Sequence, residues 1–166
     1  MKRIGLLSDT HGYLNPRLLD FFSEVDEIWH AGDIGNAEVA ARLSGQKSFR
    51  AVYGNIDGQD IRQAFPLHNR FLCEGLDVWM THIGGYPGNY DRRVKPEIFR
   101  NPPGLFISGH SHILKIIYDR KLGFLHINPG AAGINGFHKV CTAVRFIVDK
   151  KDIREMEVWE YSRREG

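Results

Sequence analysis

The chain has 166 residues, 42% of them hydrophobic and 25% charged, with a formal net charge of +2. That make-up suits one globular domain spanning 1–166 with a sizeable core. No basic stripe implies nucleic acid, and no run approaches the ~20 apolar residues of a membrane span.

At the amino end, a basic pair precedes an apolar run that stops at Asp9, too soon for a signal segment. Residues 4–7 read as a buried strand. Asn15-Pro16 then opens a helix, an N-cap residue followed by proline at the first helical position, with Leu18, Leu19 and Phe22 on one face. Residues 27–31 form a second strand, 37–43 a second helix and 49–53 a third strand, a spacing that predicts parallel βαβ units. The remainder is richer in strand, at 70–73, 78–82, 105–108, 114–118, 124–127, 140–148 and 153–161. The last two are antiparallel across the turn Asp149-Lys150-Lys151-Asp152. Residues 92–99 read as a helix stopped by Asn101-Pro102-Pro103-Gly104. The expected fold is α/β, two packed mixed β-sheets (a β-sandwich) flanked by helices, with a single doubly wound sheet as the alternative.

Cys73 and Cys141 lie far apart with no CxxC, as expected of reduced thiols in a cytoplasmic protein.

One pattern recurs at the carboxyl ends of five strands. Asp9-x-His11 follows the first, His30-Ala31-Gly32-Asp33 the second and Gly54-Asn55-Ile56-Asp57 the third. Thr81-His82 and Ser108-Gly109-His110-Ser111-His112 follow two later ones. In α/β sheets, ligand sites gather beyond the carboxyl ends of strands. Extended backbone would turn Asp9 with His11, and His110 with His112, to a common side. Asp9, His11, Asp33, Asn55, His82, His110 and His112 exceed the needs of one tetrahedral zinc. They suit two adjacent divalent ions sharing a carboxylate, and their mixed nitrogen and oxygen donors favour Mn²⁺, Fe²⁺, Zn²⁺ or Ni²⁺ over Mg²⁺ or Ca²⁺.

Read in order, SDTHG, HAGDIGN, VYGNID, THIGG and SGHSH resemble the blocks of the calcineurin-like metallophosphoesterases, and the resemblance continues through Asn128-Pro129-Gly130. The short chain is similar to the small bacterial and archaeal phosphodiesterase branch. The resemblance implies a metallophosphatase-like β-sandwich and a binuclear centre, with manganese the first choice. It implies that Asp9, His11 and His112 hold one metal, that Asn55, His82 and His110 hold the other, and that Asp33 bridges them beside a hydroxide that attacks phosphorus. Asp33, Asn55 and His82 would thus serve catalysis, with Asp57 orienting. Many members carry histidine where this chain has Ile56, which cannot donate a proton. Turnover should therefore weaken on poor leaving groups.

His30, His68, His126 and His138 read as structural, with His30 near enough to Asp33 to support it. Residues 83–94 (IGGYPGNYDRRV) form a loop in which Tyr86, Asn89, Tyr90, Arg92 and Arg93 could line substrate entry. GxGxxG, GxxxxGK[ST] and GxSxG are missing, which disfavours dinucleotide, P-loop and serine-hydrolase chemistry. The expected partner is a small-molecule phosphodiester. The rival readings are a protein-interaction scaffold resembling the small retromer subunit, whose metal centre is degraded, and a nuclease. Val158, Trp159 and Tyr161 on the last strand are either core or a homodimer face.

Overall fold

The computed structural model describes residues 1–163. Two five-stranded mixed sheets face each other. The first runs β12-β11-β1-β2-β3 and the second β4-β5-β8-β10-β9. β1 (Lys2–Leu7), β2 (Glu27–His30) and β3 (Ser48–Ala51) are parallel, linked through α1 (Pro16–Phe21) and α2 (Ala37–Ser44) as the βαβ spacing predicts. β4 (His68–Cys73) and β5 (Leu76–Thr81) form a hairpin, and β8 (Leu105–Ile107) and β10 (Phe124–Pro129) lie parallel to β5. β9 (Leu114–Asp119) closes that sheet antiparallel to β10. β11 (Val140–Asp149) and β12 (Asp152–Ser162) are antiparallel as expected, turning through Lys150 and Lys151 at positive φ.

The apolar runs are continuous because most central strands are covered on both faces. Ile4, Leu6 and Trp29 of the first sheet meet Val78, Met80 and Ile107 of the second. On the outer face of the first sheet, Leu7 and Ile28 pack beneath Leu18, Phe22, Val39 and Leu43 of the helical layer. On the outer face of the second, Trp79 and Phe106 pack beneath Val94 and Ile98. The β-sandwich with outer helices is therefore the architecture, and the single-sheet alternative falls.

Three local details differ from the sequence expectation. A helix α3 (Gln59–Ala64) follows Asp57, unseen because it is short, has no side-chain cap and buries only Ile61. The 83–94 loop contains a small hairpin, β6 (Gly85–Tyr86) and β7 (Asn89–Tyr90). Helix α4 spans Lys95–Arg100 rather than starting at Arg92. Pro96 explains the late start, since proline is tolerated in a first turn and breaks a helix interior.

The parallel order of β1-β2-β3 and of β5-β8-β10 sets the site. Their carboxyl ends all open at one end of the sandwich, and the segments after β1, β2, β3, β5 and β8 carry the acids, imidazoles and amide singled out above.

Candidate metal centre

Asp9 and Asp33 stand on the turns after β1 and β2, each almost wholly buried. The backbone after β1 is stitched to the backbone after β2, Asp9 N–H donating to Gly32 O at 2.9 Å and His11 N–H to Asp33 O at 3.0 Å. These turns are not extended. Asp9, His11, Asp33, His110 and His112 all have positive φ, at 55°, 48°, 56°, 71° and 63°. The expectation that extended backbone aligns Asp9 with His11, and His110 with His112, is corrected: each residue is aimed by a left-handed turn. That conformation costs about 1–3 kcal/mol for a non-glycine residue and clusters at functional sites.

The side chains converge. Asp9 Oδ1 lies 3.7 Å from His11 Nε2, 3.8 Å from His82 Nε2 and 3.2 Å from His112 Nε2. Asp33 Oδ2 lies 3.4 Å from His11 Nε2 and 3.1 Å from His82 Nε2. Asn55 Oδ1 is 3.0 Å from His110 Nδ1. The donors fall into two sets, Asp9 with His11 and His112, and Asp33 with His82 and His110, with the atoms of each set within 4.8 Å of one another. All seven residues expected as ligands are thus brought together, with Asn55 joining through His110.

Three inward atoms, Asp9 Oδ1, His11 Nε2 and His82 Nε2, are buried without a hydrogen-bond partner. His82 Nδ1 lies 2.8 Å from Ala31 O, so the ring proton sits there and Nε2 offers a lone pair. A carboxylate facing such lone pairs is unfavourable unless positive charge stands between them. The titration directions agree. Burial works against charge on His82, but Asp33 and Asp9 outweigh it and raise the pKa. The nearby Asp9 carboxylate, with Asp33, likewise raises His11. Burial alone would lift Asp9, yet His11 and His112 hold its carboxyl well below the usual carboxylate range. The carboxylates draw positive charge to this spot, and the donor set fits divalent cations.

The surrounding residues fix the ligand-bearing turns. Asp9 Oδ2 accepts from Ser8 Oγ at 2.6 Å and from His110 N–H at 3.1 Å. Asp33 Oδ1 accepts from Ile56 N–H at 3.1 Å. Gly54 passes so close that an added Cβ would lie 2.1 Å from Asp33 Oδ1. Asp57, also buried, does not point at the donors. It accepts backbone N–H groups from Ile34, Gly35 and Gly54 at 3.2, 2.8 and 2.8 Å, clamping the Asp33 turn to the Asn55 turn. His30 is fully buried, with Nδ1 accepting from Gly32 N–H and Nε2 against Thr10 Oγ1, a prop for the same turns. Asn128 donates to Gly109 O and Ser111 Oγ, both at 3.0 Å, bracing the turn of His110 and His112.

One contributor escaped the sequence reading. Asn135 places its amide 3.1 Å from His11 Nδ1. If His11 binds a cation through Nε2, its proton is on Nδ1 and the Asn135 amide oxygen accepts it. Nothing in GAAGINGFHK separates this asparagine from an ordinary turn residue.

A family model described as "Calcineurin-like phosphoesterase superfamily domain" matches residues 1–151. A probable metallophosphoesterase of Methanocaldococcus jannaschii is 33% identical over 138 residues, 77% of this chain and 67% of the relative. Another, of Methanothermobacter thermautotrophicus, is 27% identical over 135 residues, 77% of this chain and 76% of the relative. Among solved structures, zinc-complexed Vps29 of Entamoeba histolytica superposes with a TM-score of 0.74 at 14% identity, covering 96% of this chain and 98% of its own. A structure described as a novel archaeal phosphodiesterase gives 0.70 at 23% identity, covering 95% and 99%. At these identities the structural likeness establishes the fold.

Proposed function

The chain belongs to the calcineurin-like phosphoesterase superfamily, and from that membership and the geometry of the centre we propose that it is a phosphodiesterase using two divalent cations. The observation that carries this reading is the trio of buried, unpartnered atoms Asp9 Oδ1, His11 Nε2 and His82 Nε2 facing one another. In this reading Asp9, His11 and His112 hold one cation, Asn55, His82 and His110 the other, and Asp33 reaches both. Mixed imidazole and carboxylate donors suit manganese, iron, zinc or nickel, and the family resemblance puts manganese first. Cations at such a centre neutralise charge on phosphoryl oxygens and acidify water.

The chain's own residues do the rest. Asp57 and Gly54 hold the Asn55 turn against Asp33. Ile56, 47% exposed and bonded through its backbone N–H to Asp33, has no side-chain proton to give a leaving group. Hydrolysis therefore depends on how well the departing oxygen bears negative charge. We place the activity in the cytoplasm, within one domain over 1–166. Both cysteines are free and buried, and no helix among the described residues is long and apolar enough to cross a membrane.

The test is a metal-reconstituted panel. Manganese-loaded protein should hydrolyse bis-p-nitrophenyl phosphate, with bound metal approaching two per chain. A rate untouched by chelation, or kept in Asp33→Ala, overturns the reading.

A second reading, a protein-docking module, is favoured by one feature. Ile113, Ile134 and Phe137 are solvent-exposed on the segments that carry His112 and Asn135, Phe137 completely so. Exposed apolar groups of this kind mark interaction surfaces. A chain that binds metal but turns over no phosphoester would favour it.

A further inference from the structure

Two clefts flank the centre, one on each side of His82 and His110. The larger, about 520 Å³, runs from the β6–β7 hairpin across β9 and β10 to His110, with Tyr86, Ile113 and Lys115 in its walls and His126 at its base. The smaller, about 370 Å³, lies beyond Asn55 and His82 and includes Tyr53 and Arg62. Ile83, the residue after His82, lines both and separates them. Consecutive arginines of the same loop serve opposite sides, Arg92 the larger cleft and Arg93 the smaller. A third hollow of about 190 Å³, between Arg3 and Glu157, is at the other end of β1, remote from these groups.

The clefts share a chemistry. Each contains a tyrosine ring with a cation over its face, Lys115 Nζ at 3.7 Å from the Tyr86 centroid and Arg62 Cζ at 4.8 Å from that of Tyr53. The larger cleft adds a buried acceptor. His126 Nδ1 lies 3.1 Å from Phe106 O, so the proton is on Nδ1 and Nε2 carries a lone pair. That Nε2 is buried and has no partner. A buried acceptor left without a donor is costly, and a ligand N–H entering this cleft would supply one. A plain alkyl ester brings neither a ring for Tyr86 nor a donor for His126.

We propose that the substrate is a diester with a nucleoside-type arm, a flat ring bearing an N–H donor, held in the Tyr86 cleft while its second arm departs through the Tyr53 cleft. This rests on the phosphodiesterase reading above. Water supplies the oxygen of the new P–O bond as the P–O bond to the second arm breaks. The departing alcohol takes one of the water's protons, the other is lost to solvent, and the nucleoside monophosphate remains in the larger cleft.

The test compares thymidine 5′-p-nitrophenyl phosphate with methyl p-nitrophenyl phosphate on the manganese-loaded full chain. Both release the same phenol, so their ratio reports the retained arm. We expect kcat/KM about tenfold or more in favour of the thymidine ester, carried by KM, the scale of stacking one base on an aromatic ring. Tyr86→Ala, at a ring already 40% exposed, should collapse that ratio. Calorimetry adds a binding readout, thymidine 5′-monophosphate against ribose 5-phosphate. Equal turnover of the two esters, or a preference that survives Tyr86→Ala, overturns the cleft assignment. If neither ester is hydrolysed, the phosphodiesterase reading fails. The calorimetric preference then judges the cleft alone: tighter nucleotide binding lost in Tyr86→Ala upholds it, and equal binding overturns it.

Discussion

The Nε2 of His82 stands 3.1 Å from Asp33 Oδ2. With its Nδ1 proton committed to Ala31 O, the neutral imidazole has only a lone pair to show the carboxylate. The pair calls for positive charge at Nε2, a proton or a cation, so removing Asp33 should do more than weaken one contact. Asp33→Ala should lower diester hydrolysis by at least about 10³-fold, the loss of several kcal/mol of Lewis-acid stabilisation. Bound metal, measured by elemental analysis, should fall in parallel. Full activity in this variant would refute the centre.

Metal should also stabilise the fold. A ligand bound only to the native state adds about 2.7 kcal/mol at a hundredfold excess over its Kd. Thermal unfolding of the manganese-loaded chain should therefore occur at a higher temperature than in chelator, and that gap should vanish in Asp9→Ala.

Asp57 acts at one remove. Asp57→Ala leaves the N–H groups of Ile34, Gly35 and Gly54 without their acceptor. Each unsatisfied buried donor costs about 1–3 kcal/mol, and supports of this kind tune metal affinity by about 10–100-fold. Denaturant unfolding should show a loss of at least about 2 kcal/mol, and a manganese titration should shift to higher concentration. An unchanged titration midpoint would show that the clamp does not govern the ligands.

Ile56 leaves the departing oxygen without a proton donor. Across a series of aryl and alkyl diesters, the logarithm of the rate should fall steeply as leaving-group pKa rises. Ile56→His should flatten that slope and raise turnover of the poorest leaving groups by about 10²-fold or more. A flat slope in the unmodified chain would contradict the assignment.

His126 gives a pH dependence away from the centre. Burial pushes its pKa down to about 4 in the folded chain, against about 6.5 when unfolded. Above pH 6.5 both states are neutral, and the histidine costs nothing. Between 6.5 and 4 the unfolded chain gains a proton that the folded one refuses, so stability falls as pH falls. Below 4 the loss is complete, at roughly 3 kcal/mol. Denaturant unfolding at pH 7 and 4.5 should show this loss, and His126→Gln should remove its share.

Much of the site was legible because it is written in short blocks. Asp9 with His11, Asn55 behind Gly54, and His110 with His112 each announce themselves within a few residues of a strand end. Asp57 read as an orienting residue because it shares a block with Asn55, but the backbone groups it holds, those of Ile34, Gly35 and Gly54, emerge only in the fold. Asn135 was invisible because its meaning depends on His11, 124 positions away. α3 went unseen for the opposite reason, having too little local signal of any kind.

Sequence alone determined which short blocks follow the central strands, because apolar runs, turn glycines and donor chemistry are local properties. It thereby named the seven candidate ligands and their order along the chain. Tertiary structure decided which of them meet, since Asp9 reaches His112 only when β1 and β8 belong to facing sheets with their carboxyl ends at one rim. It also decided the left-handed turns that aim the ligands, Asp57's role as a clamp, and the two clefts that Ile83 divides. Those depend on packing between segments far apart in the chain, which no local pattern encodes.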